Sequence, residues 1–430
     1  MELLKSTSRL SWALTLLVVQ HLVNSVREYC SVSSEARQPE QEPVLGMLST
    51  HLPTRRLGEK MLHAMKYAAG LFGKTLPSSE YRMAFQELEN KLNAFSKFEH
   101  VDLKLKIDLN REPSLEEVLP RTDLLESYDR LWATEGLGHL YAGFYFAQDK
   151  SMELLLSLEK ASRLSSSKMV PLHAGIGLAM SEVFLATAQA GQGKAVTILN
   201  FVESCQKALP PEYWGIAYEA LGLVAHNLYP HFIAEIEQIL TGIDPSLVDY
   251  FWHGAGRAIY FSPASFLLGQ IAPWHTYEIC LQEPASDSGR CNAVAGFAWA
   301  LTLVNIRHPQ ILTAFLRHHG NRLVKKDAFY NGVWAALIIW LNWTGDDSYF
   351  NAMMQFRPDA SLGGLWDELV VQACKDALDY HHKPGRQVPP GKLFRYFPGE
   401  PDSDRRISRS TQETGTKIVL PHETSARRAL

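Results

Sequence analysis

The residues best suited to chemistry are acids, bases and a guanidinium set into otherwise apolar segments. Glu135 and His139 are four positions apart, and so are His253 and Arg257, so each pair would share one face of a helix. A carboxylate with a histidine can act as a general acid and base or bind a metal, and a buried guanidinium needs an acid or an anionic ligand. The candidate ligand-binding residues are Glu135, His139, Glu219, Trp252, His253 and Arg257.

Three interpretations of these polar residues stay open from the sequence. They can form an internal network that fixes helix packing, a small-molecule or metal site, or a catalytic site. Established catalytic motifs are missing, since the chain has no HExxH, no phosphate-binding GxxxxGKS, no GxSxG and no dinucleotide fingerprint. We therefore expect no cofactor, and neither a metal ligand nor a catalytic residue is assigned.

The five cysteines offer one further candidate site. No pair has CxxC spacing, so zinc, iron–sulfur and c-type haem motifs are absent. Cys280 and Cys291 flank the polar stretch 281–290 and would form a disulfide across it in an exported protein. The alternative is two buried thiols at helix ends.

A spacing of about 39 residues organises the chain that carries these side chains. Segments with small residues align with steps of 39, 40, 39, 40 and 38 at Gly136, Gly175, Gly215, Gly254, Val294 and Gly332. Each unit reads as a helix that is apolar on nearly every side, followed by an amphipathic helix. The sequence predicts an all-α fold of helical hairpins, an α-solenoid resembling TPR or HEAT arrays that is able to curl.

Glycines inside the apolar helices need a physical reason, because a glycine within a helix costs up to ~1 kcal/mol relative to alanine. Residues two apart, such as Gly254 and Gly256, point about 200° apart around a helix. We therefore predict that the preceding and the following repeat unit both approach this inner helix closely. The alternative is a backbone exposed to a bound ligand.

The chain divides into segments of different character. Residues 1–27, with an apolar run over 10–23, resemble a signal peptide or an N-terminal membrane anchor. A linker over 28–57, a helical region over 58–123, the repeats over 124–383 and an extended or disordered tail over 384–430 follow. We expect residues 393–399 to dock as an extended strip, and the pairs His318-His319 and His381-His382 to lie on the surface.

The composition limits the classes of partner that the chain is expected to bind. The formal net charge of −4 and the 46% hydrophobic content suit an ordinary globular protein and give no basic stripe for nucleic acid. The expected location is the periplasmic or extracellular face, with export or attachment through residues 10–23. The expected partner is a protein or a hydrophobic small molecule.

Three segments carry a family resemblance: Tyr213–Glu219, Phe251–Phe261 and Asn292–Ala300. They resemble an uncharacterised bacterial protein family encoded with enediyne polyketide biosynthesis genes. The resemblance covers about residues 120–345, implies a biosynthetic accessory protein and supplies no catalytic residues. The leading prediction is a non-catalytic helical-repeat scaffold or binding protein. The rival is an enzyme, or a small-molecule or metal carrier, with a Glu/His/Arg site among the buried helices.

Overall fold

The structure is a computed structural model that describes residues 79–396, except 110, 112, 148–165, 192, 262–272, 324–326 and 384–388. The predicted leader over 1–27, the linker over 28–57 and most of the tail therefore lie outside the described residues. Within the described ranges every regular element is a helix and no strand occurs. The predicted all-α class is confirmed.

The helices differ in length, from the 4 residues of α3 to the 21 residues of α4. The α-helices are α1 Ser79–Glu99, α2 Val101–Leu105, α3 Leu115–Val118, α4 Ser127–Ala147, α5 Met169–Gln189, α6 Lys194–Ala208, α7 Trp214–Leu228, α8 Ile233–Ile243, α9 Pro245–Phe261, α10 Pro273–Gln282, α11 Asp287–Val304, α12 Pro309–His319, α13 Ala328–Thr344, α14 Ser348–Gln355, α15 Gly363–Trp366 and α16 Gln372–His382. The shorter helical turns are Leu119–Leu124, Ser166–Lys168, Pro211–Tyr213, Pro230–Phe232, Gly320–Arg322, Ala360–Leu362, the π-helical turn Asp367–Val371 and Pro390–Phe394.

Eight helices, most of them long, form a row in which each packs on the one before it. Helix α1 contacts α4, and the row continues through α5, α7, α9, α11, α13 and α16. The row is flanked by the helices α6, α8, α10, α12 and α14. This order places the candidate residues of α4, α7 and α9 on helices in the interior.

The two kinds of helix differ as the apolar pattern predicts. In α13 nearly every residue is buried, because neighbours cover it on several sides. In α6 only one face is buried, through Ile198, Val202 and Cys205. The Asp327 side chain accepts a hydrogen bond from the N–H of Ala328 and begins α13, and Gly345 ends it with a left-handed backbone.

The paired glycines of α9 let the helices on both sides approach closely. A Cβ added at Gly254 would overlap the carbonyl oxygen of Glu219 on α7. A Cβ at Gly256 would overlap the carbonyl oxygen of Ala293 on α11, on the other side. The prediction that both neighbouring helices approach these glycines is therefore confirmed.

The row of helices also folds back on itself. The Tyr128 hydroxyl on α4 donates to the carbonyl of Val304 at 2.9 Å, across 176 positions of sequence. The Asn90 amide on α1 donates to Asn305 Oδ1 at 2.9 Å, across 215 positions. The first helices therefore contact the later ones directly and enclose the side chains between them.

Two sequence predictions require correction. His319 is 7% exposed, because α12 turns it toward the rings of Tyr277 and Phe315, while its neighbour His318 is exposed as expected. Cys280 and Cys291 are free thiols, so the structure contains no disulfide between them. Cys280 is buried and Cys291 is partly buried.

One described helix, α5, has the length and apolar composition of a membrane span, with a mean hydropathy of 1.5. Its apolar window is 72% buried inside the protein. Burial by α4 and α7 accounts for its apolar character, as for any core helix.

Candidate functional site

Four of the six candidate residues meet inside the protein, and we call them the ionic cluster: Glu135, Glu219, His253 and Arg257. The Arg257 guanidinium donates to both carboxylate oxygens of Glu219, at 3.2 and 2.9 Å. It also donates to Glu135 Oε1 at 3.2 Å. Each of the four residues is at most 5% exposed. Arginine thus bridges two acids from helices that are far apart in sequence.

His253 completes the cluster from one turn earlier on α9. Its Nδ1 lies 3.2 Å from Glu219 Oε1. Because a carboxylate only accepts hydrogen bonds, Nδ1 carries the proton and donates. Burial lowers the pKa of His253 despite the nearby carboxylate, so the ring is neutral.

Burial disfavours the charged forms of both Arg257 and Glu135, but the neighbouring charges outweigh burial only at Arg257. Burial disfavours the guanidinium charge, but Glu219 and Glu135 outweigh it and raise the pKa of Arg257. Burial raises the pKa of Glu135 above its usual range, although Arg257 opposes the shift. The Arg257 guanidinium also stacks 4.3 Å above the Trp299 ring. Burial therefore disposes Glu135 to take up a proton.

A second buried ion pair, formed by Glu87 and Lys91 of α1, lies against Tyr260 of α9. Sequence reasoning missed this pair. Lys91 Nζ pairs with Glu87 at 2.9 Å and lies 4.1 Å above the ring of Tyr260. The Tyr260 hydroxyl accepts a hydrogen bond from Asn305 at 2.9 Å. Glu87 and Lys91 are four apart on α1, a spacing that is common for exposed pairs, so the sequence offers no sign that they are buried.

His139 and Trp252 lie away from the ionic cluster. His139 Nε2 contacts Glu182 at 3.0 Å on a partly exposed edge. Burial opposes its charge, but Glu182, with Glu99 and Glu135, outweighs it and raises the pKa of His139 to about 9. The Trp252 indole donates to Glu237 at 3.0 Å. Both residues therefore have acidic partners outside the ionic cluster.

The C-terminal segment covers the ionic cluster on one side. The ring of Phe394 lies 6.3 Å from that of His253 and 5.8 Å from that of Trp299, and Phe394 is 1% exposed. The predicted docking of this segment is confirmed for the described residues up to 396. Its predicted extended form is wrong at Leu393 and Phe394, which belong to the helical turn Pro390–Phe394, whereas Arg395 has an extended backbone.

The arrangement has limited chemical capacity. Among the described residues no group of three or more His, Cys, Asp or Glu side chains is placed to hold a metal ion. In the ionic cluster the guanidinium occupies the space between the two carboxylates, which are thereby paired. Comparison with protein-family models, with curated proteins and with solved structures gives no match for this chain.

Proposed function

We propose that the chain is a non-catalytic α-helical repeat protein that binds a partner protein. The observation that carries this proposal is the pairing of Arg257 with Glu135 and Glu219 in the interior. Both acids are paired with a guanidinium and buried, whereas an acid or base that acts on a substrate must be able to contact it.

The repeat itself is part of the proposal. The row of long helices, the close approaches at Gly254 and Gly256 and the sequence spacing of about 39 residues support helical hairpins in a curled solenoid. Such arrays offer extended surfaces for a partner. Export or anchoring by residues 1–27, and a biosynthetic accessory role, remain predictions from the sequence.

One observation favours the rival, a small-molecule site. Among the described residues, Arg257 Nε and the indole nitrogen of Trp299 are buried donors without a hydrogen-bond acceptor. Buried donors normally have a partner, so a ligand oxygen or a water molecule would complete them. A ligand bound there would lie beside Phe394.

Metal analysis of the purified chain tests the proposal against a metal-dependent rival. We expect the wild type, His139→Ala and His253→Ala to contain the same substoichiometric traces of metal by mass spectrometry. Exposed His382, replaced by alanine, is the matched control. Stoichiometric metal in the wild type that is lost in His253→Ala would overturn the non-catalytic scaffold.

A further inference from the structure

The docked strip, residues 389–396, lies against the long helices without belonging to their row. Its helical turn contacts α7, α9 and α13, and Phe394 reaches Trp299 of α11. Gly391 and Leu393 are buried as well as Phe394. We call the surface beneath it the strip groove: Gly215, Asp249, Tyr250, His253, Asn292, Trp299 and Asp327.

Apolar anchoring in the groove comes from Phe394. Its ring meets His253 and Trp299, both of which belong to or contact the ionic cluster. The cluster thus holds the floor of the groove in place. A fully buried aromatic side chain in a formed pocket is the typical dominant contact of a peptide interface.

The groove also binds the main chain of the strip. Asn292 Oδ1 accepts the N–H of Tyr396 at 2.6 Å. The Asn292 amide is held in turn, because it donates to Asp249 at 3.0 Å and to the carbonyl of Ser288 at 2.9 Å. This contact would serve any peptide, since it does not involve the side chain of Tyr396.

Selectivity comes from close backbone approach and from acidic side chains. A Cβ on Gly391 would lie 2.9 Å from the carbonyl oxygen of Glu212, so the occupant needs glycine there. Arg395 lies 4.0 Å from Asp249, and its guanidinium is 5.4 Å from the centroid of the Tyr250 ring. Partly exposed charges of this kind select among partners more than they add affinity.

We propose that the strip groove is a peptide-recognition surface for a partner protein, and that the docked strip occupies it in the partner's absence. The partner segment would carry glycine, then a leucine–aromatic pair, then arginine, as residues 391–395 do. This inference rests on the proposed binding function and names the chemistry of the partner. A tethered occupant acts at a high effective concentration, so the partner must compete with it.

A labelled peptide tests the inference on the full chain. The probe is fluorescein-PPGKLFRYF, the sequence of residues 389–397, and binding is measured by fluorescence anisotropy. We expect the probe to bind Phe394→Ala at least tenfold more tightly than the wild type, because that variant weakens the competing strip. Arg395→Glu, which leaves no cavity and repels Asp249, should admit the probe in the same way.

Controls separate recognition from non-specific binding. A probe with its first phenylalanine changed to alanine should bind Phe394→Ala at least tenfold more weakly. Asp249→Asn in that background keeps the shape of the groove, and should weaken binding and reduce its salt dependence. Exposed Phe95→Ala, outside the groove, should behave as the wild type.

Three results would overturn the inference. One is a probe that binds neither Phe394→Ala nor Arg395→Glu while both variants melt cooperatively. Another is equal binding to the wild type and both variants. The third is a wild-type dimer that both variants abolish, which would mean exchange of the strip between two copies. Failure here leaves the metal analysis unaffected, and that measurement tests the non-catalytic part of the proposed function, so the two failures are distinguishable.

Discussion

Replacing Arg257 by methionine removes the cation of the ionic cluster and leaves an apolar side chain of similar length. The guanidinium makes three hydrogen bonds to two carboxylates, at 2.9–3.2 Å. Its loss leaves two acids buried without a cation. Removing one partner of a buried ion pair typically costs about 3–5 kcal/mol of unfolding free energy, and we expect Arg257→Met to fall in that range at neutral pH.

The stability lost in Arg257→Met should depend on pH in a direction set by the pKa of Glu135. Burial already raises the pKa of Glu135 above its ordinary value of 4.5, and without Arg257 burial acts with less opposition. A carboxyl whose pKa is higher in the folded state binds more protons when folded, so stability falls as pH rises from the unfolded to the folded pKa. The slope reaches about 1.4 kcal/mol per pH unit. Arg257→Met should therefore lose more stability at pH 8 than at pH 5.

Urea denaturation followed by circular dichroism at both pH values measures the effect. The matched control is Arg317→Met, because Arg317 pairs with Asp359 at 2.7 Å on the exposed surface and should lose under about 1 kcal/mol. A triple replacement of Glu135, Glu219 and Arg257 by methionine should recover much of the stability. An Arg257→Met protein as stable as Arg317→Met, or one that is less stable at pH 5 than at pH 8, would show that the buried acids do not depend on the guanidinium.

Two further perturbations test the packing and the exposed edge. Gly254→Ala should lower the unfolding free energy by about 1–3 kcal/mol, because the added Cβ forces α9 away from the Glu219 carbonyl. Gly242→Ala, in open space on α8, should raise the unfolding free energy by up to ~1 kcal/mol. The midpoints of urea denaturation measure both effects. Glu182→Gln should lower the pKa of His139 from about 9 toward 6.5, measured by NMR titration. Because the pKa of His139 is raised in the folded protein, its pairing with Glu182 stabilises the fold fully below the unfolded pKa, and this stabilisation is lost as pH rises through about 9. The stability cost of Glu182→Gln should therefore appear at pH 6 and vanish at high pH.

The sequence was most informative where the requirement is local. The glycine pair of α9 implied a close approach on both sides, because the angle between residues two apart is a property of any helix. The interior helices were likewise identifiable, because a helix that is apolar on nearly every side is buried on nearly every side. No long-range knowledge was needed for either conclusion.

Pairing across the fold was beyond the sequence. The bond between Arg257 and Glu135 spans 122 positions and exists because the row of helices folds back. His139 shares a helical face with Glu135, yet it reaches the surface and meets Glu182. Glu87 and Lys91 look like an exposed pair until α12 and the other late helices cover α1.

The contacts between the first and the later helices also limit when the first helices can complete their folding during synthesis. Tyr128 and Asn90 need partners that follow them by 176 and 215 positions. A ribosome adding about 5–20 residues per second delivers those partners roughly ten to forty seconds later. During that interval the first helices expose apolar faces that the finished protein buries. The nascent chain should therefore depend on chaperones until α11 emerges, and truncated forms ending before residue 304 should aggregate.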